Sequence, residues 1–137
     1  MTNFHATHLV QRRRHGELTC VVVRLVRELD DTLAELLLET LLGKLFMHGA
    51  RGVVVDLTGL DVVDSTLTNG LSTMLECAQC LGARPALAGV EPGVAATLVD
   101  LGFHVRAGRV TSARTVEGAM TLIASDLERG QRRHYVR

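Results

Sequence analysis

Three consecutive valines, in the segment Gly52-Val-Val-Val-Asp-Leu57, constrain the fold of this chain more than any other feature. A strand with one solvent-exposed face alternates apolar and polar side chains, whereas these positions are apolar in succession. Such a run is typical of a strand that is buried on both faces, as strands are in parallel sheets covered by helices. The segment therefore predicts an α/β architecture.

Segments typical of strands and of helices alternate along the whole chain. Runs rich in β-branched residues predict strands, and apolar residues at helical spacing predict helices. Asp30 or Asp31 is expected to cap the first helix, Gly49 to end it, and Pro92 to lie in the first turn of the third. The predicted strands are 18–26, 52–57, 85–90 and 103–105, and the predicted helices are 31–48, 65–81, 94–101 and 115–127. This order predicts a single α/β domain, with a mixed or largely parallel β-sheet packed against about four helices.

Charge is distributed unevenly, although the 137-residue chain is formally neutral. Residues 18–128, the predicted folded domain, hold 8 basic and 14 acidic residues and so carry a net charge of −6. Basic tails of +2 (1–17) and +4 (129–137) flank this domain and are predicted to be flexible, since they have little to bury. Phe46 and Phe103 are the aromatic residues left for the core. No apolar run approaches the roughly 20 residues of a membrane span.

Signatures of enzymes and metal sites are absent from the sequence. It has no glycine-rich phosphate loop, no HExxH motif and no GxSxG motif, so we expect no catalytic residue and no cofactor. Cys77 and Cys80 share a predicted helix without a second pair, which favours small buried side chains over a zinc site. His5 and His8 are spaced closely enough to touch a metal, but a solvated tail is the favoured interpretation. We therefore predict no metal site.

The segment from Asp56 to Thr66 carries most of the functional information. In one interpretation, Asp64 or Ser65 only caps a helix. In the other, Ser65 is a phosphorylation site, where a phosphate would meet free N–H groups and the positive end of the helix dipole. Its added charge of about −1.5 to −2 would repel an acidic partner or one docked against Asp61 and Asp64. A Mg²⁺ site is disfavoured because the carboxylates of Asp56, Asp61 and Asp64 lie on different parts of a strand and a loop.

Four stretches resemble the STAS domain family of anti-sigma-factor antagonists, in the family's order and spacing over residues 18–128. The last stretch has the pattern GxxPxxAxTLxxLG and is similar to the stressosome branch, with its RsbS-like and RsbR-like proteins, more than to sporulation-type antagonists. The stretches are Glu28-Leu-Asp-Asp31, Gly49-Ala-Arg-Gly-Val-Val-Val-Asp-Leu-Thr58, Asp61-Val-Val-Asp-Ser65 and Gly89-Val-Glu-Pro-Gly-Val-Ala-Ala-Thr-Leu-Val-Asp-Leu-Gly102.

The resemblance assigns roles to individual residues. It implies that Ser65 is phosphorylated by an RsbT-type switch kinase, and that Asp61, Asp64 and Ser65 bind the partner. Thr66 stands where RsbS-like chains often have a bulky apolar residue, so a kinase could choose between Ser65 and Thr66. Thr97 corresponds to a second phosphoacceptor of RsbR-like proteins. The favoured alternative is that Thr97 lies within a helix with its hydroxyl bonded to the backbone.

The function implied by the resemblance is that of a non-catalytic, cytoplasmic stressosome scaffold and negative regulator. It would sequester the kinase and release it when Ser65 is phosphorylated. The implied partners are RsbR-like STAS paralogues and an RsbT-like kinase. The protein is expected to form homo- and hetero-oligomers and not to bind a membrane. Only 17 residues precede the first predicted strand, which favours the RsbS-like role over the RsbR-like role with its sensor domain. Two alternatives stay open: an antagonist that binds an anti-sigma kinase directly, and a nucleic-acid-associated protein that uses its arginine-rich tails.

Overall fold

The computed structural model describes residues 9–25, 29–103 and 110–135. Within these ranges, strands and helices alternate after an initial hairpin. The strands are β1 (Val10–His15), β2 (Leu18–Arg24), β3 (Gly52–Asp56), β4 (Arg84–Ala88) and β5 (Thr111–Ala113). The helices are α1 (Asp31–His48), α2 (Ser65–Cys80), α3 (Pro92–Asp100) and α4 (Val116–Tyr135). The four predicted helices are confirmed.

The five strands lie side by side in the order of the sequence. β1 runs antiparallel to β2, and β2 to β5 are parallel to one another. Residues 21–23 of β2 lie opposite residues 53–55 of β3, so two runs of three valines meet in register. The sheet is therefore mixed and largely parallel, as the sequence predicts.

The sheet has a face covered by α1, α2 and α3, called here the three-helix face, and an opposite α4 face. Val53 and Val55 pack on the three-helix face, and Val54 packs on the α4 face. All three valines have 0% exposure, which confirms that β3 is buried on both faces. Each buried valine contributes on the order of 1.5 kcal/mol, so burial of all three stabilises the domain on both sides of the sheet.

The helix ends follow the predicted signals. Asp30 caps α1, because its carboxylate oxygen Oδ1 accepts a hydrogen bond of 2.7 Å from the Leu33 backbone N–H. Gly49 ends α1 in the left-handed conformation, with φ of 57°. Pro92 lies in the first turn of α3, where its missing N–H costs nothing. These signals fix the lengths of the helices that run back from the carboxyl ends of the parallel strands.

The prediction of a flexible N-terminal tail over 1–17 is wrong for residues 10–15, which form β1. Val10 is fully buried, and the Lys44 ammonium of α1 donates a hydrogen bond of 2.6 Å to the Val10 carbonyl oxygen. The four residues after Val10 are all exposed, so the run of arginines conceals the strand in the sequence. Charged side chains of this kind are common on edge strands, where they discourage pairing with other chains.

The structure also corrects predictions near the C-terminus. α4 continues to Tyr135 instead of ending at Leu127, so the predicted flexible tail over 129–137 is helical through residue 135. The last strand is β5, and the predicted strand 103–105 is wrong at Phe103, while residues 104 and 105 lie outside the described ranges. Phe46 is 82% exposed and does not belong to the core. Phe103, in contrast, packs against the core of the three-helix face.

Candidate partner-binding and phosphorylation site

The candidate site lies at the carboxyl edge of the sheet, where the parallel strands end. Residues 57–64 connect the end of β3 to the start of α2 and are called here the β3–α2 loop. Leu57 and Leu60 of this loop are buried, with 1% and 4% exposure, and both belong to the core of the three-helix face. They anchor the first half of the loop to the domain and leave the second half at the surface.

Asp56 fixes the first turn of the β3–α2 loop. Its carboxylate oxygen Oδ1 accepts a hydrogen bond of 3.0 Å from the Thr58 backbone N–H and one of 2.6 Å from the Thr58 hydroxyl. The Leu60 N–H then donates to the Leu57 carbonyl at 3.0 Å. An aspartate that bonds the backbone two residues ahead is a common turn-former, so Asp56 has a structural role here.

Gly89 packs against the same turn from the end of β4. Its φ is +70°, and a Cβ atom built on it would lie 2.1 Å from the Thr58 hydroxyl oxygen and 3.0 Å from the Thr58 Cα. Because Cβ atoms do not approach other atoms so closely, only glycine fits. The Leu57 N–H also donates to the Ala88 carbonyl oxygen at 2.8 Å. The loop before α2 and the loop before α3 are therefore held together.

Asp64 is the N-cap of α2, as one of the two sequence interpretations predicts. Its carboxylate oxygen Oδ1 accepts from the Leu67 N–H at 2.9 Å, and its carbonyl oxygen accepts from the Thr68 N–H at 3.0 Å. The N–H groups of Ser65 and Thr66 have no hydrogen-bond partner among the described residues. The first turn of α2 therefore keeps two amide donors and the positive end of the helix dipole.

Ser65 is the first residue of α2, and its side chain is exposed. Asp61 and Asp64 are exposed as well, whereas Thr66 is only partly exposed. The structure thus brings Asp61, Asp64 and Ser65 together on one loop and helix start. A hydroxyl in this position is accessible to another protein, and two carboxylates closely precede it in the sequence.

Val62 is a surface residue of this site that sequence reasoning missed. Its side chain is 45% exposed between Asp61 and Asp64, while the neighbouring Val63 packs against the core. The signal in the sequence is the pair of adjacent valines in this loop, of which only Val63 packs against the core. An exposed apolar side chain among carboxylates gives the site a contact that a partner protein could bury.

Thr97 lies in the second turn of α3 and not at a helix start. Its hydroxyl donates a hydrogen bond of 2.9 Å to the Gly93 carbonyl oxygen, four residues earlier in the same helix. This is the backbone-bonded geometry that the favoured alternative expects. Phosphorylation of Thr97 stays a prediction, and the structure gives Thr97 a different local setting from Ser65.

The described cysteines lie outside the β3–α2 loop and the first turn of α2. Cys77 is partly exposed and Cys80 is exposed within α2, so the interpretation of small buried side chains is wrong for Cys80. Burial raises the pKa of the Cys20 thiol to about 11. The pKa of the Cys77 thiol is also raised, first by burial and then by the charges of Cys80 and Glu76.

No group of three metal-binding side chains occurs in the described ranges, and His5 and His8 lie outside them. None of the helices in those ranges has the length and apolar character needed to cross a membrane.

A family model of the STAS domain matches residues 10–119. The chain belongs to the STAS domain family. The matched region runs from β1 into the first turn of α4 and includes the whole β3–α2 loop. The STAS domain therefore contains every residue of the candidate site, and the family resemblance inferred from the sequence is confirmed.

Among curated proteins, the chain is similar to the RsbT co-antagonist protein RsbRA of Bacillus subtilis (strain 168). The two are 35% identical over 84 residues, which make up 61% of this chain and 31% of RsbRA. The chain thus spans about a third of the length of the curated relatives that it matches.

Among solved structures, the fold is similar to that of a serine-to-glutamate variant of RsbS from Moorella thermoacetica. The TM-score is 0.71 at 25% identity, over 83% of this chain and 96% of that one. A chain from the molecular architecture of the stressosome, a signal integration and transduction hub, gives a TM-score of 0.67 at 25% identity. That match covers 84% of this chain and 96% of the other. The similarity to these compact chains extends over nearly their whole length.

Proposed function

We propose that this STAS protein is a non-catalytic, cytoplasmic stressosome scaffold. In this proposal it assembles with RsbR-like STAS paralogues and holds an RsbT-like switch kinase at the β3–α2 loop and the start of α2. The structural similarity to an RsbS variant and to a stressosome chain supports the scaffold role. The sequence similarity to an RsbT co-antagonist supports a kinase of the RsbT type as the partner.

The observation that carries the proposal is the exposed Ser65 hydroxyl at the start of α2. A phosphate on Ser65 would lie against the free N–H groups of the first turn, which favours its formation there. It would also add a charge of about −1.5 to −2 beside Asp61 and Asp64. An acidic kinase surface that packs on Val62 would then meet strong local repulsion, so the kinase would be released.

Ser65 is the proposed phosphorylation site in preference to Thr66 and Thr97. Its side chain is exposed, whereas those of Thr66 and Thr97 are only partly exposed. A protein kinase must reach the hydroxyl with its own catalytic groups, and the Thr97 hydroxyl is occupied by the Gly93 carbonyl. Thr66 would serve as a secondary site, and Thr97 would require local opening of α3.

The first test is phosphorylation by the cognate switch kinase with ATP, followed by mass-spectrometric mapping of the modified peptides. We expect phosphate on Ser65, its loss in Ser65→Ala, and its retention in the matched controls Thr66→Ala and Thr97→Ala. Absence of phosphate from both Ser65 and Thr66 in the unaltered protein would overturn the proposed mechanism.

The second test separates charge from size at position 65. Ser65→Glu adds a carboxylate, and Ser65→Gln adds a neutral side chain of nearly the same shape. We expect Ser65→Glu to weaken kinase binding by about tenfold, equivalent to about 1.4 kcal/mol, and Ser65→Gln to weaken it much less. Equal weakening by both variants would mean that packing, and not charge, controls release.

The third test identifies the partners. Analytical ultracentrifugation of the protein with and without an RsbR-like paralogue is expected to show a large increase in mass on mixing. Affinity capture from the native host is expected to recover STAS paralogues and the switch kinase. Recovery of an anti-sigma kinase in their place would favour the direct antagonist role.

A further inference from the structure

The two faces of the sheet are covered unequally near the N-terminal hairpin. In the described part of the chain, the α4 face is covered by α4 alone, which packs mainly on β3, β4 and β5. Beside the first turn of α4, the structure has an open cleft of about 520 Å³. It lies over the first half of β1 and the end of β2 and is called here the α4 cleft. Its apolar walls are Leu9, Val22 and Val116.

Two guanidinium groups line the α4 cleft. The Arg24 side chain has no ion-pair or hydrogen-bond partner in the ranges that the structure describes, and it lies at the end of β2. Its neighbour across the strand pair is Asp56, whose Oδ1 oxygen is already bonded twice by Thr58. Within the described residues, the Arg24 guanidinium thus keeps its donors although a carboxylate lies on the adjacent strand.

Arg13 is the second cation of the α4 cleft. Its guanidinium lies 3.7 Å from the Glu117 carboxylate, whose side chain is 77% exposed. An ion pair of this length at the surface contributes on the order of 0.5 kcal/mol or less, so a better anion can displace it. Gln11 adds an amide donor to the same wall of the cleft.

The start of α4 adds a further preference for negative charge. α4 is 20 residues long, and Thr115 caps it by accepting a 3.0 Å hydrogen bond from the Gly118 N–H at its hydroxyl oxygen. The N–H groups of Val116 and Glu117 have no partner among the described residues, and the Val116 side chain lines the cleft. Among the described residues, the acidic side chains that would disfavour a bound anion are Asp56 and Glu117. Asp56 is bonded by Thr58, and Glu117 pairs with Arg13.

We propose that the α4 cleft binds a small organic anion with an apolar body. Arg13 and Arg24 would hold its phosphate or carboxylate group, and Leu9, Val22 and Val116 would contact the body. The combination of two guanidiniums with an apolar wall matches the general pattern of small-ligand sites, in which a few polar groups orient a ligand in an apolar cavity. This site does not rest on the proposed function, since it shares no side chain with the exposed residues around Ser65.

The test is an NMR titration of the full ¹⁵N-labelled protein with phenyl phosphate, benzoate and the neutral benzyl alcohol. We expect saturable shifts at the amides of Gln11, Val22 and Val116 for the anions, with a Kd on the order of 1 mM for ligands of this size. The two anions distinguish a phosphate site from a carboxylate site. Equal binding of benzyl alcohol, or no saturable shift with either anion, would overturn the proposal.

Variants assign the binding to the two arginines. Arg24→Gln and Arg13→Gln are each expected to weaken phenyl phosphate binding by about tenfold, the size of one lost charge-assisted hydrogen bond. The matched control is Arg14→Gln, because alternation along β1 turns Arg14 to the opposite face of the sheet. It is expected to change the affinity less than about twofold. An equal loss in Arg14→Gln would show unspecific attraction to the basic hairpin and would contradict the site.

Discussion

The starts of α2 and α3 face the same edge of the sheet, yet they are built differently. α2 begins with the side-chain cap Asp64 and presents the exposed hydroxyl of Ser65 at its first position. α3 begins after Glu91, which forms no side-chain cap bond, and has Pro92 in its first turn. Its hydroxyl, on Thr97, lies one turn further along and is bonded within the helix.

A hydroxyl at a helix start and one within a helix therefore differ as candidate phosphorylation sites. Ser65 combines exposure with free amide donors and a positive helix end, whereas Thr97 has a satisfied hydroxyl and a less exposed side chain. The two helix starts are still connected, because Gly89 before α3 packs on Thr58 before α2. Changes at the connection, at the α2 cap and at Thr97 each test one part of this comparison.

The largest effect is expected for Gly89→Ala, which breaks the connection between the two helix starts. A methyl group there would meet the Thr58 hydroxyl oxygen at 2.1 Å and would also have to adopt a φ of +70°. Strain and overpacking together are expected to lower the free energy of unfolding by about 3 kcal/mol. Chemical denaturation followed by circular dichroism measures the change.

Gly82→Ala is the matched control for that variant. Gly82 has a φ of +83° but nothing within 4 Å of an added Cβ, so it tests the backbone conformation alone. We expect a loss of about 1 kcal/mol. If both glycine variants lost the same amount, the close approach of Gly89 to Thr58 would not be an important contact.

An intermediate effect is expected for Asp64→Ala, which removes the side-chain cap of α2. Loss of the bond to the Leu67 N–H is expected to lower the free energy of unfolding by about 1 kcal/mol, measured by the same denaturation. Glu91→Ala at the start of α3 is the comparison and should change it by less than about 0.5 kcal/mol, since Glu91 makes no cap bond. A larger loss in Glu91→Ala would remove the contrast between the two helix starts.

The smallest effect is expected for Thr97→Ala. The variant loses the hydroxyl bond to the Gly93 carbonyl but gains helix propensity, because alanine is not β-branched. The two contributions oppose each other, so the midpoint of denaturation should shift by the equivalent of less than about 0.5 kcal/mol. A clearly destabilised Thr97→Ala protein would indicate that the hydroxyl has a structural role beyond its own helix.

Much of the fold could be predicted from local sequence signals. The valine run identified β3 as a strand buried on both faces, and Asp30, Gly49 and Pro92 marked helix ends where the structure has them. At the site, Asp64 was one of two candidate caps, and the structure assigns the role to it. These features succeed because each depends on residues within one turn or one strand.

The remaining features depend on contacts between distant parts of the chain. β1 is hidden by arginines, and its burial at Val10 exists only because Lys44 and the core of the three-helix face lie beside it. Phe46 has a core residue type, but its position on α1 turns it to solvent. The contact of Gly89 with Thr58 joins two loops about 30 residues apart, and nothing in either loop alone predicts it.

The hydrogen bond from the Lys44 ammonium to the Val10 carbonyl oxygen also affects how molecules of this protein can associate through the edge of the sheet. A sheet whose outer strand offers free carbonyl groups can add strands from further molecules without limit, which leads to fibres. Here one of those groups is already engaged by a charged side chain from within the same molecule, and Arg12 and Arg14 repel an identical strand. Any closed assembly of this protein would therefore form more readily through its helices and loops than through extension of its sheet at β1.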